Sequence, residues 1–164
     1  MAVFENIPDH ARVWIYQSNH RLEDPHAEWL QSEANDFVAN WAAHGKGLKA
    51  EAAVLHNYFL IFMIDEAQAQ ASGCSIDASV NFVRSAQLTL KCDFFQRLHI
   101  TYRKDKNSPV ESADQETFEK MLESGAVNED TIVFNNLVNN KAEWLEKWEV
   151  PLSQSWHAKF FNKV

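Results

Sequence analysis

Cys74, Ser75 and Asp77 fall within Ala71 to Phe82, ASGCSIDASVNF, where an apolar helical pattern begins. A thiol just ahead of a helix meets the positive end of the peptide dipole and amides with no intrahelical partner. Both lower a thiol pKa and favour thiolate chemistry or oxidation. The same amides can hold an anion. The structural roles open to these residues are a small buried hydrophobe for Cys74, a helix cap for Ser75 and a first-turn acid for Asp77. His44 and Lys46 lie in the upstream stretch AAHGKG. His44 is the acid–base candidate for a nucleophilic or redox Cys74, and Lys46 is a cation for an anionic ligand.

Such residues act together only if folding collects them. Arg12 to Tyr16 alternates Val13 and Ile15 against Trp14 and Tyr16, which predicts a strand. Asp24 followed by Pro25 starts a helix with Leu30, Ala34, Phe37 and Trp41 at helical spacing, stopped by Gly45 and Gly47. Leu48 to His56 and Phe59 to Asp65 make a hairpin turning around Asn57. A second helix from Ser75 shows Ile76, Val80, Val83, Ala86 and Leu90 on one face, and Arg97 to Arg103 alternates as a fourth strand. The order β-α-β-β-α-β is that of a ferredoxin-like, split βαβ core, an antiparallel sheet with two helices on one face.

That topology gathers distant loops at one end of the sheet. Arg12, His44, Lys46, Lys49, Cys74, Ser75, Asp77 and Arg103 are expected there, a cluster of basic residues beside a helix start and an anion site by its charge. His56 belongs to the opposite end, in contact with solvent, and His157 is expected to have a satisfied hydrogen bond. Beyond a polar loop, Gln115 to Glu123 forms a helix ending at Gly125; Thr131 to Val138 is strand or helix, and Lys141 to Trp148 is a helix ended by Pro151. Phe59 to Ile64 is apolar at every position, so both faces must be covered. Two helices cover one. The tail with Phe134, Trp144, Trp148 and Trp156, or a second copy of the chain, is expected to cover the other.

Length and composition bound the rest. At 164 residues, 46% hydrophobic, with four glycines and four prolines, the chain reads as a single domain over 1–164, with its core at 12–103 and a C-terminal extension at 114–164. A net charge of −8 and no basic run argue against nucleic acid as the main partner. No apolar run is long enough to span a bilayer, and Met1 to His10 lacks the basic-then-apolar pattern of a signal peptide, so a cytoplasmic setting is expected. The helix between Cys74 and Cys92 separates them by more than about 20 Å, which excludes a disulfide. A phosphate loop around Gly45 and Lys46 fails, because Asn40 stands where its first glycine belongs and Gly47 where its hydroxyl belongs. A phosphatase-type cysteine would need arginine at Val80. Seven scattered histidines predict no metal site, and no cofactor motif occurs.

The stretches ARVWIYQSN, AAHGKGLKA, SGCSID, TIVFNNLVNNKAE and WEVP followed by SWHAKF resemble a family of short, uncharacterised bacterial proteins of the Bacteroidetes type, often labelled "ABC transporter ATPase". Such an ATPase would need the phosphate loop that is missing here, so the resemblance implies no activity. The function expected is a small intracellular ligand-binding or regulatory domain, with an anion-binding edge formed by Arg12, His44, Lys46, Cys74, Ser75, Asp77 and Arg103. The alternatives are a cysteine-dependent enzyme or redox protein using Cys74, and a protein-interaction domain.

Overall fold

The computed structural model describes residues 2–43, 45–67 and 69–161. His44 therefore lies outside the described residues. The chain is mixed α+β, with four α-helices among the described residues and antiparallel sheets. It divides into two compact units: Met1–Phe95 with Asn139–Ala142, and Gln96–Val138 with Glu143–Val164. The core expected over 12–103 thus continues past the point where the first unit closes.

The first unit is built on β1 (Arg12–Gln17), β4 (Lys49–Leu55) and β5 (Phe59–Asp65), ordered β1-β5-β4 and antiparallel throughout. Arg12 lies opposite Ile64 and Tyr16 opposite Leu60, so the first and third of the expected strands are neighbours. The hairpin turns through His56 and Asn57, both left-handed with φ of 55° and 59°. Asn57 is a residue type that visits this geometry readily, and its side-chain amide ties the turn to distant chain by donating to the Leu22 carbonyl and the Asp24 carboxylate. His56 is exposed, as expected.

Both helices cover one face of this sheet. Leu30, Ala34 and Trp41 from the first and Val83, Ala86 and Leu90 from the second form one core with Leu60, Phe62 and Ile64 of β5. On the other face of β5, Phe59, Ile61 and Met63 are fully buried too, as an unbroken apolar strand requires.

Helix α1 (Asp24–Asn40) begins one residue after Glu23, which occupies the cap position without a side-chain bond. Asp24 is therefore the first helical residue and not the cap. The helix ends at Trp41, ahead of the glycines expected to stop it, because the chain leaves to pair β2 (Ala42–Ala43) with β3 (Lys46–Gly47). Helix α2 (Gly73–Leu90) starts earlier than expected. Ser72 is its cap, and Ser75 is the third helical residue of a reciprocal capping pair. On the buried face Ser75 and Ser79 stand where Ile76 and Val80 were expected, while Val83, Ala86 and Leu90 hold their places. Asp77 consequently lies outside the first turn.

The fourth expected strand does not join this sheet. As β6 (His99–Arg103), it belongs to a four-stranded sheet in the second unit, ordered β7-β6-β8-β9, with β7 (Glu111–Asp114), β8 (Ile132–Phe134) and β9 (Glu149–Pro151). A ferredoxin-like sheet needs its fourth strand beside β1. At that edge the Val13 amide instead donates to the Asn139 carbonyl, and Arg12 forms a bridge with Asn140. The segment Asn139–Ala142 is further tied to the start of the chain by hydrogen bonds from the backbone N–H groups of Lys141 and Ala142 to the Ala11 and Asp9 carbonyls. The Lys141 ammonium donates to the carbonyls of Phe4 and Ile7 at 2.9 and 2.6 Å.

In the second unit, α3 (Gln115–Ser124) runs from an Asp114 cap to Gly125, which takes φ 79° as a left-handed helix end. Its Phe118 packs with Ile100, Tyr102, Val133, Leu152 and Phe161. Helix α4 (Lys141–Lys147) spans the boundary between the two units, and the 3-10 turns Leu152–Gln154 and Trp156–Phe160 follow.

Candidate functional site

Strand register brings two of the expected edge residues, Arg12 and Lys49, to the same end of the sheet. Arg12 opens β1, Lys49 opens β4 opposite Asp65, and Arg12 pairs with Ile64, so all three end together. Their charges are already matched. The Arg12 guanidinium lies 3.7 Å from Glu66 and 4.7 Å over the Trp14 ring. Lys49 and His10 stand 3.6 and 3.3 Å from Asp65. The Asp65 carboxyl is held below the ordinary carboxylate range, first by the Ala67 amide, then by His10 and Lys49. Glu66 also accepts from the Ala71 amide, which fixes the approach to α2. Asp65 and Glu66, which sequence reasoning passed over, change the balance of this edge.

The helix start is likewise satisfied by its own residues. Ser72 and Ser75 cap each other, and the Ser75 carbonyl accepts from the Trp41 indole at 2.9 Å. Cys74 and Asp77 are exposed on the second and fifth helical positions. Cys74 forms no disulfide, and His44, its acid–base candidate, lies outside the described residues. Lys46 lies exposed in the short β2–β3 ribbon. Arg103 falls in the second unit, where its guanidinium pairs with Glu149 and donates to the Lys106 carbonyl. Of the seven residues expected at the edge, Arg12, Lys46, Cys74, Ser75 and Asp77 belong to the first unit. Both cysteines are free thiols, and burial pushes the Cys92 thiol up.

Beside this edge lies a groove between α1 and α2, lined by Glu33, Asp36, Phe37, Asn40, Trp41, Ala42, Ala78 and Phe82, with a volume of about 570 Å³. Phe37 and Phe82 stack at 4.8 Å with 23° between planes. Trp41, itself buried, packs against Phe37 at 5.0 Å and Phe62 at 5.6 Å, so the groove floor is the outer surface of the core. Both phenylalanines are half-buried, and Glu33 and Asp36 are exposed.

A second concavity lies in the other unit, among Leu98, Ile100, Trp156, His157, Phe160 and Phe161. Its volume is about 30 Å³, room for roughly two water molecules. His157 is buried, and its Nδ1 bonds the Ser155 hydroxyl at 2.6 Å, the satisfied hydrogen bond expected of it. Burial lowers its pKa to about 4, which keeps the imidazole neutral near pH 7.

No family model matches the chain, and no curated protein or solved structure matches it. Function must be argued from these geometries. Among the described residues no group of three or more metal-ligating side chains occurs, and no helix is long and apolar enough to cross a membrane. The groove escaped sequence reasoning because its two walls come from helices about forty positions apart. One signal was present: Phe82 is a large aromatic residue at the border of its helix's apolar stripe, one turn before Ala86.

Proposed function

We propose that the protein is a non-catalytic binding domain whose recognition site is the groove between α1 and α2. The observation that carries this reading is the half-buried Phe37–Phe82 stack on the groove floor, apolar surface that folding leaves accessible in a concavity large enough for a ligand. The ion pairs of Arg12 and Lys49 move the site from the expected anionic-ligand edge to the adjoining groove. The reading includes a cytoplasmic setting, in keeping with two free thiols, and membership of the short bacterial family that the sequence resembles.

Phenol, benzoate and benzylamine, titrated separately while NMR resonances are followed, test the location. Phenol should shift the ring signals of Phe37 and Phe82 and the Trp41 indole. Ala78→Phe, which places a ring in the groove, should abolish the response. If benzoate moves the amides of Cys74 and Ser75 while the groove signals stay still, the helix edge is the site and the proposal fails.

A further inference from the structure

Resting on that reading of the groove, we infer that its occupant is the guanidinium of an arginine side chain, presented by a basic segment of a partner protein. Three features of different origin make the groove negative. The first is its lining: Phe37, Phe82 and Trp41 bring three π-systems to one groove, and the face of such a ring carries the negative side of its quadrupole, which attracts a cation lying over it. The Trp41 indole N–H is committed to the Ser75 carbonyl, so Trp41 adds ring surface without adding a donor.

The rim is the second. Glu33 and Asp36 are one turn apart on α1 and share a face. Among the described residues neither takes part in an ion pair, whereas Asp65 and Glu66 at the neighbouring sheet edge both do. The third is the helix end itself. The last turn of α1 contains no basic residue, so the carbonyl end of its dipole lacks a cation from its own helix. The Asn40 side-chain amide donates to the Asp36 carbonyl, which leaves its oxygen as one more acceptor beside the groove.

Among cations, guanidinium fits best. It is flat and weakly hydrated, so it lies on an aromatic face while its in-plane N–H groups reach carboxylates at the rim; an ammonium is a compact, strongly hydrated point charge. A partner segment fits better than a free metabolite because the groove is open to solvent and does not enclose its occupant as metabolite pockets do. A side chain delivered from outside needs no enclosure. The net charge of −8 steers a basic segment toward the molecule.

The test uses three capped tripeptides, acetyl-Gly-X-Gly-amide with X arginine, lysine or citrulline, titrated into the full chain at low salt. Citrulline keeps the shape of arginine and removes its charge. The arginine peptide should shift the Phe37, Trp41 and Phe82 signals, with lysine about threefold weaker and citrulline at least about tenfold weaker. The double variant Glu33→Gln with Asp36→Asn should weaken the arginine peptide about tenfold, and raised salt should weaken it severalfold. Citrulline binding the groove as tightly as arginine would overturn the inference and leave the groove as the site. If no peptide moves the groove signals but phenol does, the inference again falls and the groove stands; if phenol fails as well, both fall.

Discussion

The groove of the first unit and the concavity of the second are made of similar residues, aromatic rings beside polar groups, and they differ in where those polar groups find partners. In the second unit His157 turns to Ser155, is buried with it, and is kept neutral by that burial. Little space remains. In the first unit the rings stack on top of a finished core and the carboxylates of Glu33 and Asp36 stay in water. A polar group bonded inside the fold serves stability, because leaving it unpaired would cost about 1–3 kcal/mol. One exposed beside open ring surface can serve recognition instead.

The comparison breaks most visibly at Trp41, which belongs to both the core and the groove. Trp41→Ala should lower unfolding free energy by about 3–5 kcal/mol, the range for emptying a large buried aromatic site, and should abolish groove binding with it. Urea unfolding measures the first effect, and a loss below about 1 kcal/mol would mean that the groove floor is not core.

The second unit is probed by acid. The folded pKa of His157, about 4, lies below its ordinary value of 6.5. Its contribution is therefore complete above pH 6.5 and is lost as pH falls toward 4. The full span corresponds to roughly 3 kcal/mol, of which about 2 should be gone at pH 5. Urea midpoints at pH 7.5 and 5 follow the loss; an imidazole titrating near its ordinary value in the folded chain would contradict it.

The smallest effect is expected at the rim. Glu33→Gln and Asp36→Asn should each change stability by less than about 0.5 kcal/mol, since both carboxylates are exposed and unpaired among the described residues. Thermal melts check this. A larger cost would give the rim a structural role and erase its contrast with His157.

Local signals carried the sequence reading through the first unit. Alternation marked β1 and β6, Asn57 marked the hairpin, and the unbroken run from Phe59 to Ile64 announced a strand buried on both faces. Alternation identifies a strand without naming its neighbour, so His99–Arg103 was legible as a strand and illegible as a member of a second sheet. The start of α2 was misplaced because Ile76, the first apolar residue, drew the boundary forward. The Ser72–Ser75 spacing, three apart and reciprocal, was the better marker. At the candidate site the basic residues were visible one by one, while their neutralising carboxylates depend on strand register and on the loop after β5.

The strap that Asn139–Ala142 lays along β1 has a consequence for biosynthesis. Lys141 anchors to Ile7, from which 134 positions separate it. At about 5–20 residues per second, a ribosome needs roughly 7–27 s to bridge that gap. Once β5 is made, β1 can pair with it, but the outer edge of β1 still has no native neighbour, and bare strand edges template wrong pairings. The first half of the chain is thus held as an unfinished, vulnerable nascent domain until the ribosome has made most of the second.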